Sequence, residues 1–408
     1  MKKLVVVGGG AAGFFCAVNA ARMNAGLEVI LLEKSSKLLS KVRISGGGRC
    51  NTTHELFDIP ALVKKYPRGE QFIKKAFHQF NTRDTINWFE ERGVKLHAEA
   101  DGRMFPVTNQ STTIIDCLLR EADLYKVKVS TNTGVHSIVK EGNQWKILTE
   151  KKEVIIADAI CIACGGLPKL SMFDWLKNTG HSIVEPIPSL FTLNMPKHPI
   201  TSLMGVSVPN VSLKVIGSKL KESGPLLITH WGLSGPAVLK LSAWGARQLA
   251  ERNYHFEIAV NWLGEINETA LRSEWSFYRE QMSVQKIGNK SPFSLPNRLW
   301  HFLLQEAGID TDTKWAELKS VHQNKLIQLL TNNIYSISGK TTFKEEFVTA
   351  GGITLSEINP QTMESRIVPD LYFAGEVMDV DGITGGFNFQ HAWTSGFIAA
   401  NSIAQKFA

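Results

Sequence analysis

The sequence predicts an α/β fold with one large insertion, and three observations lead to that prediction. A strand, a glycine turn, a helix and a second strand follow one another within residues 3–33. The character of the chain changes near residue 189, with prolines from position 186 onward and short strand-like runs, and a polar helical pattern follows them. Strand and helix patterns then return and run to the C-terminus. The predicted domains are 1–190 and 345–408 as two parts of one domain, and 191–344 as an insert, β-rich over 191–265 and helical over 266–344.

Composition limits the class of protein. The chain has 408 residues, which corresponds to two or three domains. Its 45 basic and 38 acidic side chains give a formal charge of +7 without any run of five like charges, so a nucleic-acid-binding arm is not expected. Five cysteines, an odd number in a long chain, exclude a secreted disulfide scaffold. A reduced cytoplasmic setting is the prediction.

The N-terminus superficially resembles a signal peptide, because Lys2 and Lys3 precede an uncharged stretch over residues 4–21. Three consecutive glycines at positions 8–10 would break an apolar targeting helix, whereas a strand, a turn and a helix account for the same residues. No other uncharged stretch reaches the ~20 apolar residues that a membrane span requires. We therefore expect no membrane association.

The first glycine turn has the pattern of a dinucleotide site. Gly8, Gly10 and Gly13 follow a strand and open a helix, and Glu33 stands at the end of the next strand. In this pattern the first glycine permits the turn, the second lets the backbone approach a pyrophosphate, and the third lets helix and strand pack closely. The helix N-terminus offers N–H groups to phosphate. Glu33 could accept hydrogen bonds from a ribose diol, which favours FAD or NAD over NADP.

A second glycine cluster near the C-terminus favours FAD. The apolar run 371–374 precedes Gly375 and Glu376, and Gly385 and Gly386 precede a predicted closing helix over residues 390–405. Glu376 could hold the ribityl hydroxyls, and the glycine backbone at the helix N-terminus could face the flavin N1/C2 carbonyl edge. There the helix dipole would stabilise reduced, anionic flavin by about 0.3 to 2 kcal/mol. The alternative is a plain glycine turn beside a surface carboxylate.

One further segment, 45–51, could approach the same cofactor on its own chemistry, whereas residues 163–166 are assigned to the cofactor only by the resemblance described below. The first is too rich in glycine for a regular helix or strand, and it carries a guanidinium, a thiol and an amide suited to pyrophosphate or the flavin ring. The second ends one of the strand-like runs found between residues 127 and 163, which together predict a mixed sheet.

The motifs together carry a resemblance to a known family. Residues 41–51, 229–236 and 375–388 look like the corresponding segments of the BaiN-like flavoproteins of bacteria, also called the aminoacetone oxidase family of FAD-binding enzymes. The resemblance spans nearly the whole chain and implies a glutathione-reductase-like, two-dinucleotide-binding-domain fold with a Rossmann-like FAD-binding domain. It further implies non-covalent FAD and an inserted β-barrel plus helical domain. Cys164 and Phe387 depart from the usual Thr and Tyr, without removing a backbone contact.

Motifs and resemblance together define the candidate cofactor residues. Among them, Val135 resembles a strand residue whose backbone meets adenine. The complete set is Gly8, Gly10, Ala11, Ala12, Gly13, Glu33, Lys34, Lys41, Ser45, Gly46, Gly48, Arg49, Cys50, Asn51, Val135, Ala163, Cys164, Gly165, Gly375, Glu376, Gly385, Gly386, Phe387 and Asn388.

Catalytic residues are less clearly indicated. Cys50 is one candidate, because the adjoining Arg49 could lower the pKa of its thiol, although a packing role in the cofactor loop is favoured over catalysis. His230, in a glycine-rich loop of the insert, and His391, in the closing helix, could move protons, although a structural role is favoured for each histidine. Cys161-x-x-Cys164 has no second pair at zinc-ligand spacing, so two ordinary thiols and no metal are predicted.

The predicted function is an FAD-dependent oxidoreductase that transfers hydride between an unidentified small substrate and flavin N5. No second strand-linked G-x-G-x-x-G occurs, so NAD(P)H could act only as a transient reductant. One alternative is a flavin-containing binding protein that assists RNA modification or senses redox state, with a basic surface near Arg68, Lys74 and Lys75. Another is an NAD-binding protein without flavin. The substrate, electron donor or acceptor and oligomeric state are left open.

Overall fold

The computed structural model describes residues 1–342 and 348–408, which divide into two compact units. The first unit contains residues 1–189 and the described residues from 348 onward, and the second begins at residue 190. The division lies one residue from the predicted boundary after residue 190. The other predicted boundary, between residues 344 and 345, lies outside the described residues.

The N-terminal part of the first unit alternates strands and helices, starting with the predicted β1–α1–β2 unit, which is confirmed. Its elements are β1 Lys2–Val7, α1 Ala11–Met23, β2 Leu27–Leu32, α2 Ser40–Gly48, β3 Thr53–His54, α3 Ile59–Val63, α4 Glu70–Phe77, α5 Thr82–Glu90, β4 Leu96–Ala98, β5 Arg103–Pro106, α6 Ser111–Leu124, β6 Lys128–Ser130, β7 Val135–Glu141, β8 Gln144–Thr149, β9 Val154–Ala157, β10 Ala159–Ile162, α7 Asp174–Lys177 and β11 Ile183–Ser189.

The second unit mixes strands and helices along the chain. Its elements are β12 Thr192–Asn194, β13 Ser207–Val215, β14 Lys221–Thr229, β15 Gly232–Ser234, α8 Pro236–Trp244, α9 Ala246–Glu251, β16 His255–Asn261, α10 Glu268–Gln281, α11 Asn297–Glu306, α12 Ser320–Thr331, β17 Asn333–Ser338 and β18 Lys340–Thr341. The chain then completes the first unit with β19 Val348–Ile353, β20 Leu371–Phe373 and α13 Phe387–Lys406.

A parallel sheet forms the centre of the first unit. Its strand order is β20–β10–β1–β2–β6, and every adjacent pair is parallel. Leu4, Val5 and Val6 of β1 are fully buried, as expected for a strand covered on both faces. The predicted mixed sheet is wrong, because β7, β8 and β9 form a separate antiparallel sheet. The strand-like pattern is local and does not specify which strands pair.

Helix α1 packs against α13 through small residues. A Cβ placed on Gly396 of α13 would lie 2.7 Å from the Ala12 carbonyl oxygen, so the two helix backbones meet there. Below the crossing, Phe15 contacts the rings of Trp88 and Trp393 with centroid distances of 4.5 and 5.2 Å. This contact joins the N-terminal βαβ unit to the last helix of the chain.

The second unit is built on an antiparallel sheet with the order β17–β16–β13–β14–β15–β12–β18. Buried tryptophans pack in its core, at positions 262, 275, 300 and 315. The predicted division into a β-rich and a helical part is only approximate. Helices α8 and α9 lie in the β-rich part, and β17, with its strictly alternating burial, lies in the part predicted as helical. β17 pairs with β16 more than 70 residues earlier in the chain, a partner that local pattern does not indicate.

No helix within residues 1–342 and 348–408 combines the length and the apolar character that a bilayer span requires.

We predict that Gly396→Ala lowers the free energy of unfolding. Alanine ordinarily stabilises a helix by about 1 kcal/mol relative to glycine, yet here the added methyl would meet the Ala12 carbonyl oxygen. Overpacking of this kind costs about 1 to 3 kcal/mol. Urea unfolding measures the change, with Gln405→Ala on the exposed side of α13 as the control. A more stable Gly396→Ala protein would contradict the close crossing of α1 and α13.

Candidate functional site

The first glycine turn connects β1 to α1 with little space on its inner side. Gly8 has a φ of +118°, and a Cβ there would lie 2.3 Å from the Ala163 carbonyl oxygen. A Cβ on Gly13 would lie 1.9 Å from the Gly8 carbonyl oxygen. Gly10 differs, because nothing lies within 4 Å of its added Cβ. The outer side of the turn, in front of the α1 N-terminus, is therefore open to a ligand.

Glu33 lies beside this turn, and its carboxylate already accepts three hydrogen bonds from within the protein. Its Oε2 accepts a hydrogen bond from the Gly9 N–H at 2.8 Å, and its Oε1 accepts from the N–H and hydroxyl of Ser35, both at 2.8 Å. A carboxylate offers about four acceptor positions. The side chain thus fixes the glycine turn and keeps acceptor capacity for a ribose hydroxyl.

A cleft of about 390 Å³ opens at the carboxyl ends of β1, β2 and β10. Five predicted cofactor residues line it: Gly8, Glu33, Lys34, Val135 and Cys164. The opposite wall of the cleft was not predicted from the sequence. It is formed by Thr133, Gly134, His136, Glu150, Leu167, Ser171, Met172, Asp174 and Trp175. Thr133 and Gly134 follow β6 at the carboxyl edge of the sheet, a position that could have indicated them. The cleft and the open helix N-terminus fit the adenosine and pyrophosphate of a dinucleotide.

The glycine loop predicted over residues 45–51 is present as an interruption at the end of α2. Ser45 is extended, with φ −59° and ψ 147°, and Gly46 and Gly47 have left-handed φ values of +59° and +70°. Arg49 lies over the Phe105 ring, 4.0 Å from its centroid, and donates a hydrogen bond to Glu99 at 2.6 Å. Its guanidinium is thus held by the β4–β5 hairpin.

Cys50 does not have the properties of an activated thiol, which favours the packing role over activation by Arg49. The side chain is completely buried, and burial raises the pKa of the thiol to about 11. Arg49 instead pairs with Glu99. Burial likewise raises the pKa of Cys164 to about 12, and that of Cys161, beside Cys16, lies well above its usual value. Within the described ranges, no group of three or more His, Cys, Asp or Glu side chains is arranged to hold a metal.

Gly375 is clamped by two side chains of α13. Its N–H donates to the Ser395 hydroxyl at 2.8 Å, and its carbonyl oxygen lies 3.2 Å from His391 Nε2. Its φ is +74°, and an added Cβ would lie 2.8 Å from the Ala12 Cβ. Burial lowers the pKa of His391 to about 4, so its ring is neutral at pH 7 and Nε2 donates to the carbonyl. The clamp fixes the residue that precedes Glu376.

Glu376 joins three segments of the first unit. Its Oε2 accepts from Lys41 Nζ at 2.8 Å, and its Oε1 accepts from the Thr349 N–H at 2.8 Å. A Cβ on Gly166 would lie 2.4 Å from Glu376 Oε1 and 2.5 Å from the Thr349 hydroxyl oxygen. That buried hydroxyl has no hydrogen-bond partner among the described residues. The cluster therefore offers a carboxylate, an ammonium and an unsatisfied hydroxyl, a donor set that fits a polyhydroxyl chain.

The second glycine loop meets the 51–54 segment at the N-terminus of α13. Gly386 has a φ of +95°, and an added Cβ would lie 2.4 Å from the Thr53 carbonyl oxygen. With its amide oriented to satisfy both neighbours, Asn51 accepts from the Gly386 N–H at 3.0 Å. His54 Nδ1 lies 2.9 Å from the Gly385 carbonyl oxygen, and Trp393 donates to the Thr52 carbonyl at 2.9 Å. Three hydrogen bonds and one close backbone approach thus hold the two segments together.

Phe387 and Asn388 use their side chains within this loop. The Asn388 amide exchanges two hydrogen bonds with the Gly382 backbone, at 2.8 and 2.9 Å. The buried Phe387 ring stacks on His54 with a centroid distance of 4.6 Å. These two residues shape the loop, so a cofactor contact from them would come from the backbone.

The remaining candidates lie elsewhere. His230 is an exposed residue of the second unit, with its ring 4.2 Å from that of Trp231, and its catalytic role stays a prediction. Arg68 forms an ion pair with the fully buried Asp381, which also accepts from the Ser189 hydroxyl at 2.7 Å. Arg68 therefore does not contribute free positive charge to the basic surface that the RNA-binding alternative requires. Lys74 and Lys75 are exposed and remain available to that surface.

The parallel sheet with its glycine turn, and the second glycine loop before the closing helix, form a Rossmann-like dinucleotide-binding domain. Together with the family match and the full-length relative given next, these features place the protein in the class of FAD-dependent oxidoreductases. The chain belongs to the HI0933-like family, since the family model described as HI0933-like protein Rossmann domain matches residues 2–402. The expected membership among the BaiN-like flavoproteins and the predicted fold class are confirmed.

Comparisons with individual proteins give the same class. The chain is 27% identical to a 3-dehydro-bile acid delta(4,6)-reductase of Clostridium scindens, over 100% of both chains. It is 32% identical to a ribosomal RNA dihydrouridine synthase of Escherichia coli, over 98% of this chain and 97% of the relative. Its fold is similar to that of a 3-ketosteroid-Δ4-(5α)-dehydrogenase from Rhodococcus jostii, with a TM-score of 0.53, 13% identity, and coverage of 99% and 97%.

We predict that Glu33→Ala weakens FAD binding roughly 10- to 150-fold, because a hydrogen bond to a charged group contributes about 1.5 to 3 kcal/mol. The measurement is a titration of apoprotein with FAD in which quenching of the flavin fluorescence reports binding. Ser35→Ala is the matched control, since it removes one bond to the same carboxylate and leaves the carboxylate in place. Equal affinity of Glu33→Ala and wild type would place this acid outside the cofactor site.

Gly386→Ala should lower the flavin midpoint potential. The added methyl would press on the Thr53 carbonyl and move the α13 N-terminus, whose dipole favours reduced, anionic flavin by about 0.3 to 2 kcal/mol. For a two-electron couple this corresponds to roughly 6 to 40 mV. Spectroelectrochemistry on flavin-loaded protein measures the shift. Gly93→Ala, which has a comparable left-handed φ of +78° but no neighbour within 4 Å of the added Cβ, should leave the potential unchanged, and equal shifts in both variants would contradict the assignment.

Proposed function

We propose that this protein uses non-covalently bound FAD to reduce a carbon–carbon double bond conjugated to a carbonyl group. The observation that carries the proposal is the pair of glycine loops in the first unit, each held beside polar side chains that keep hydrogen-bonding capacity for a ligand. The names of two relatives that align over nearly the whole chain describe saturation of such a bond, in a 3-dehydro-bile acid and in uridine.

In this proposal each part of FAD has its own set of residues. Adenosine would occupy the 390 Å³ cleft beside Glu33 and Val135, and the pyrophosphate would face the open side of Gly10. The ribityl hydroxyls would meet Glu376 and Thr349, and the flavin ring would lie near Gly385 and Gly386. Covalent attachment through Cys50 or Cys164 is disfavoured, because the raised pKa of each thiol keeps it protonated at pH 7.

The chain itself would contribute orientation and electrostatics. Bound FAD supplies hydride transfer at flavin N5. The α13 N-terminus favours negative charge at the adjoining glycine backbone. Neutral His391 and Ser395 hold Gly375, and thereby the position of the Glu376 carboxylate. Proton transfer to the substrate is not assigned to any of these groups.

NAD(P)H is the electron donor that we propose, bound only transiently against the flavin. In the part of the chain that the structure describes, β1 and α1 frame a glycine turn of the dinucleotide type, and the remaining parallel strands lead into no second G-x-G-x-x-G sequence. A resident nicotinamide site would require such a turn or an equivalent phosphate cradle.

Two substrates fit this chemistry, and an observation favours each. A small conjugated ketone corresponds to the bile-acid reductase, whose full length this chain matches. The uracil ring of ribosomal RNA corresponds to the relative at 32% identity. The charge distribution agrees with the second: residues 190–343 hold 16 basic and 11 acidic side chains, an excess of five out of the total of +7.

The proposal predicts a flavin of defined size and a defined reaction. Heat-released cofactor should co-migrate with FAD, because FMN would leave the cleft beside Glu33 empty.

With NADH or NADPH under anaerobic conditions, the FAD-loaded protein should saturate a conjugated enone or the uracil of a ribosomal RNA transcript. Mass spectrometry detects the product as a gain of two hydrogens by the substrate. A saturated ketone and a cytidine-only RNA are the matched controls. Release of FMN, or flavin reduction without product from either substrate class, would contradict the proposal.

A further inference from the structure

The β13–β14 hairpin of the second unit ends in a braced turn. The Val215 N–H donates to the Leu220 carbonyl at 3.0 Å, and the Ser218 hydroxyl accepts from the Leu220 N–H at 3.0 Å. From outside the hairpin, Arg252 donates to the Ile216 and Gly217 carbonyls at 3.2 and 3.4 Å. The turn therefore has a fixed shape.

Three exposed lysines concentrate positive charge on this hairpin. Lys214 and Lys221 lie directly opposite each other in the antiparallel pair, and Lys219 lies in the turn between them. No carboxylate of the described residues forms an ion pair with any of the three. Like charges directly opposite on a sheet are destabilising, and neither Lys214 nor Lys221 has an acid directly opposite it to offset this repulsion.

The acidic residues nearby do not neutralise this group. Glu222 is opposite the buried Leu213 and so faces away from Lys214 and Lys221, which occupy the other face. Glu257 on β16 shares the exposed face, where Ala259 is the residue opposite Lys214. The exposed end of the hairpin thus carries three lysines and the Arg252 guanidinium against one glutamate.

We propose that residues 214–221, with Arg252, form a docking surface for the phosphate backbone of RNA, an inference that rests on the second proposed substrate. A polyanion relieves the repulsion between Lys214 and Lys221 and gains from release of its counterions. A lipid surface is the less favoured occupant, because this hairpin has no tryptophan, tyrosine or phenylalanine to anchor it at an interface.

The test compares two triple variants of the full-length holoenzyme. One replaces Lys214, Lys219 and Lys221 by glutamine, and the other, the charge-matched control, replaces Lys286, Lys314 and Lys319. Affinity for a fluorescent oligouridylate is measured across a series of KCl concentrations. Each lost phosphate contact should reduce the slope of log K against log salt by about 0.7, so the hairpin variant should lose roughly 2 in slope. The control variant should keep the wild-type slope.

Three outcomes would overturn this docking surface: no RNA binding by wild type, equal slopes for the two variants, or hairpin-dependent binding of acidic phospholipid vesicles alone. Uracil reduction at low salt and saturating RNA separates this inference from the proposed function. If uracil is reduced and the hairpin variant binds RNA as tightly as the control variant, only the docking surface is contradicted. Hairpin-dependent RNA binding without reduction would remove only the proposed reaction. The unfolding free energy should not fall in the hairpin variant, since it removes repulsion.

Discussion

The first unit depends on close backbone approach around the N-terminus of α1. Gly8 meets the end of β10 at Ala163, Gly13 meets Gly8, and Gly396 meets Ala12. In each case a single Cβ would lie within 3 Å of a backbone oxygen, so these contacts exist only because the side chains are absent. They place the N-terminus of α1 at the sheet edge where the cleft opens.

The same crossing brings the two parts of the first unit to one site. Helix α13 fixes Gly375 through Ser395 and His391, and it receives the 51–54 segment at its N-terminus. Glu376 then links Lys41 of α2 to Thr349 of β19. Segments more than 300 residues apart in the chain thereby share one set of polar groups, and the insert between them leaves this arrangement intact.

Polar residues near the site serve mainly to hold glycine loops in place. Glu33 binds the Gly9 and Ser35 backbone, Asn388 binds Gly382, and Arg49 is held by Glu99 and Phe105. Sequence reasoning assigned these groups directly to a cofactor or to activation of Cys50. These side chains are only partly buried, and they hydrogen-bond first to the backbone and side chains of the loops around them. What they leave open toward the cleft is mostly backbone N–H and residual acceptor capacity.

The sequence by itself determined the β1–α1–β2 unit, the glycine positions and the family resemblance, because these depend on short-range patterns and on residues that only a tight turn tolerates. The tertiary structure alone decided that the central sheet is parallel, that β17 joins a sheet in the insert, and that His136, Glu150 and Trp175 form the far wall of the cleft. It also decided that the Cys50 thiol is buried and protonated. The reason is physical: strand pairing, burial and the pKa shift that follows burial are set by neighbours distant in the chain, which local sequence does not specify.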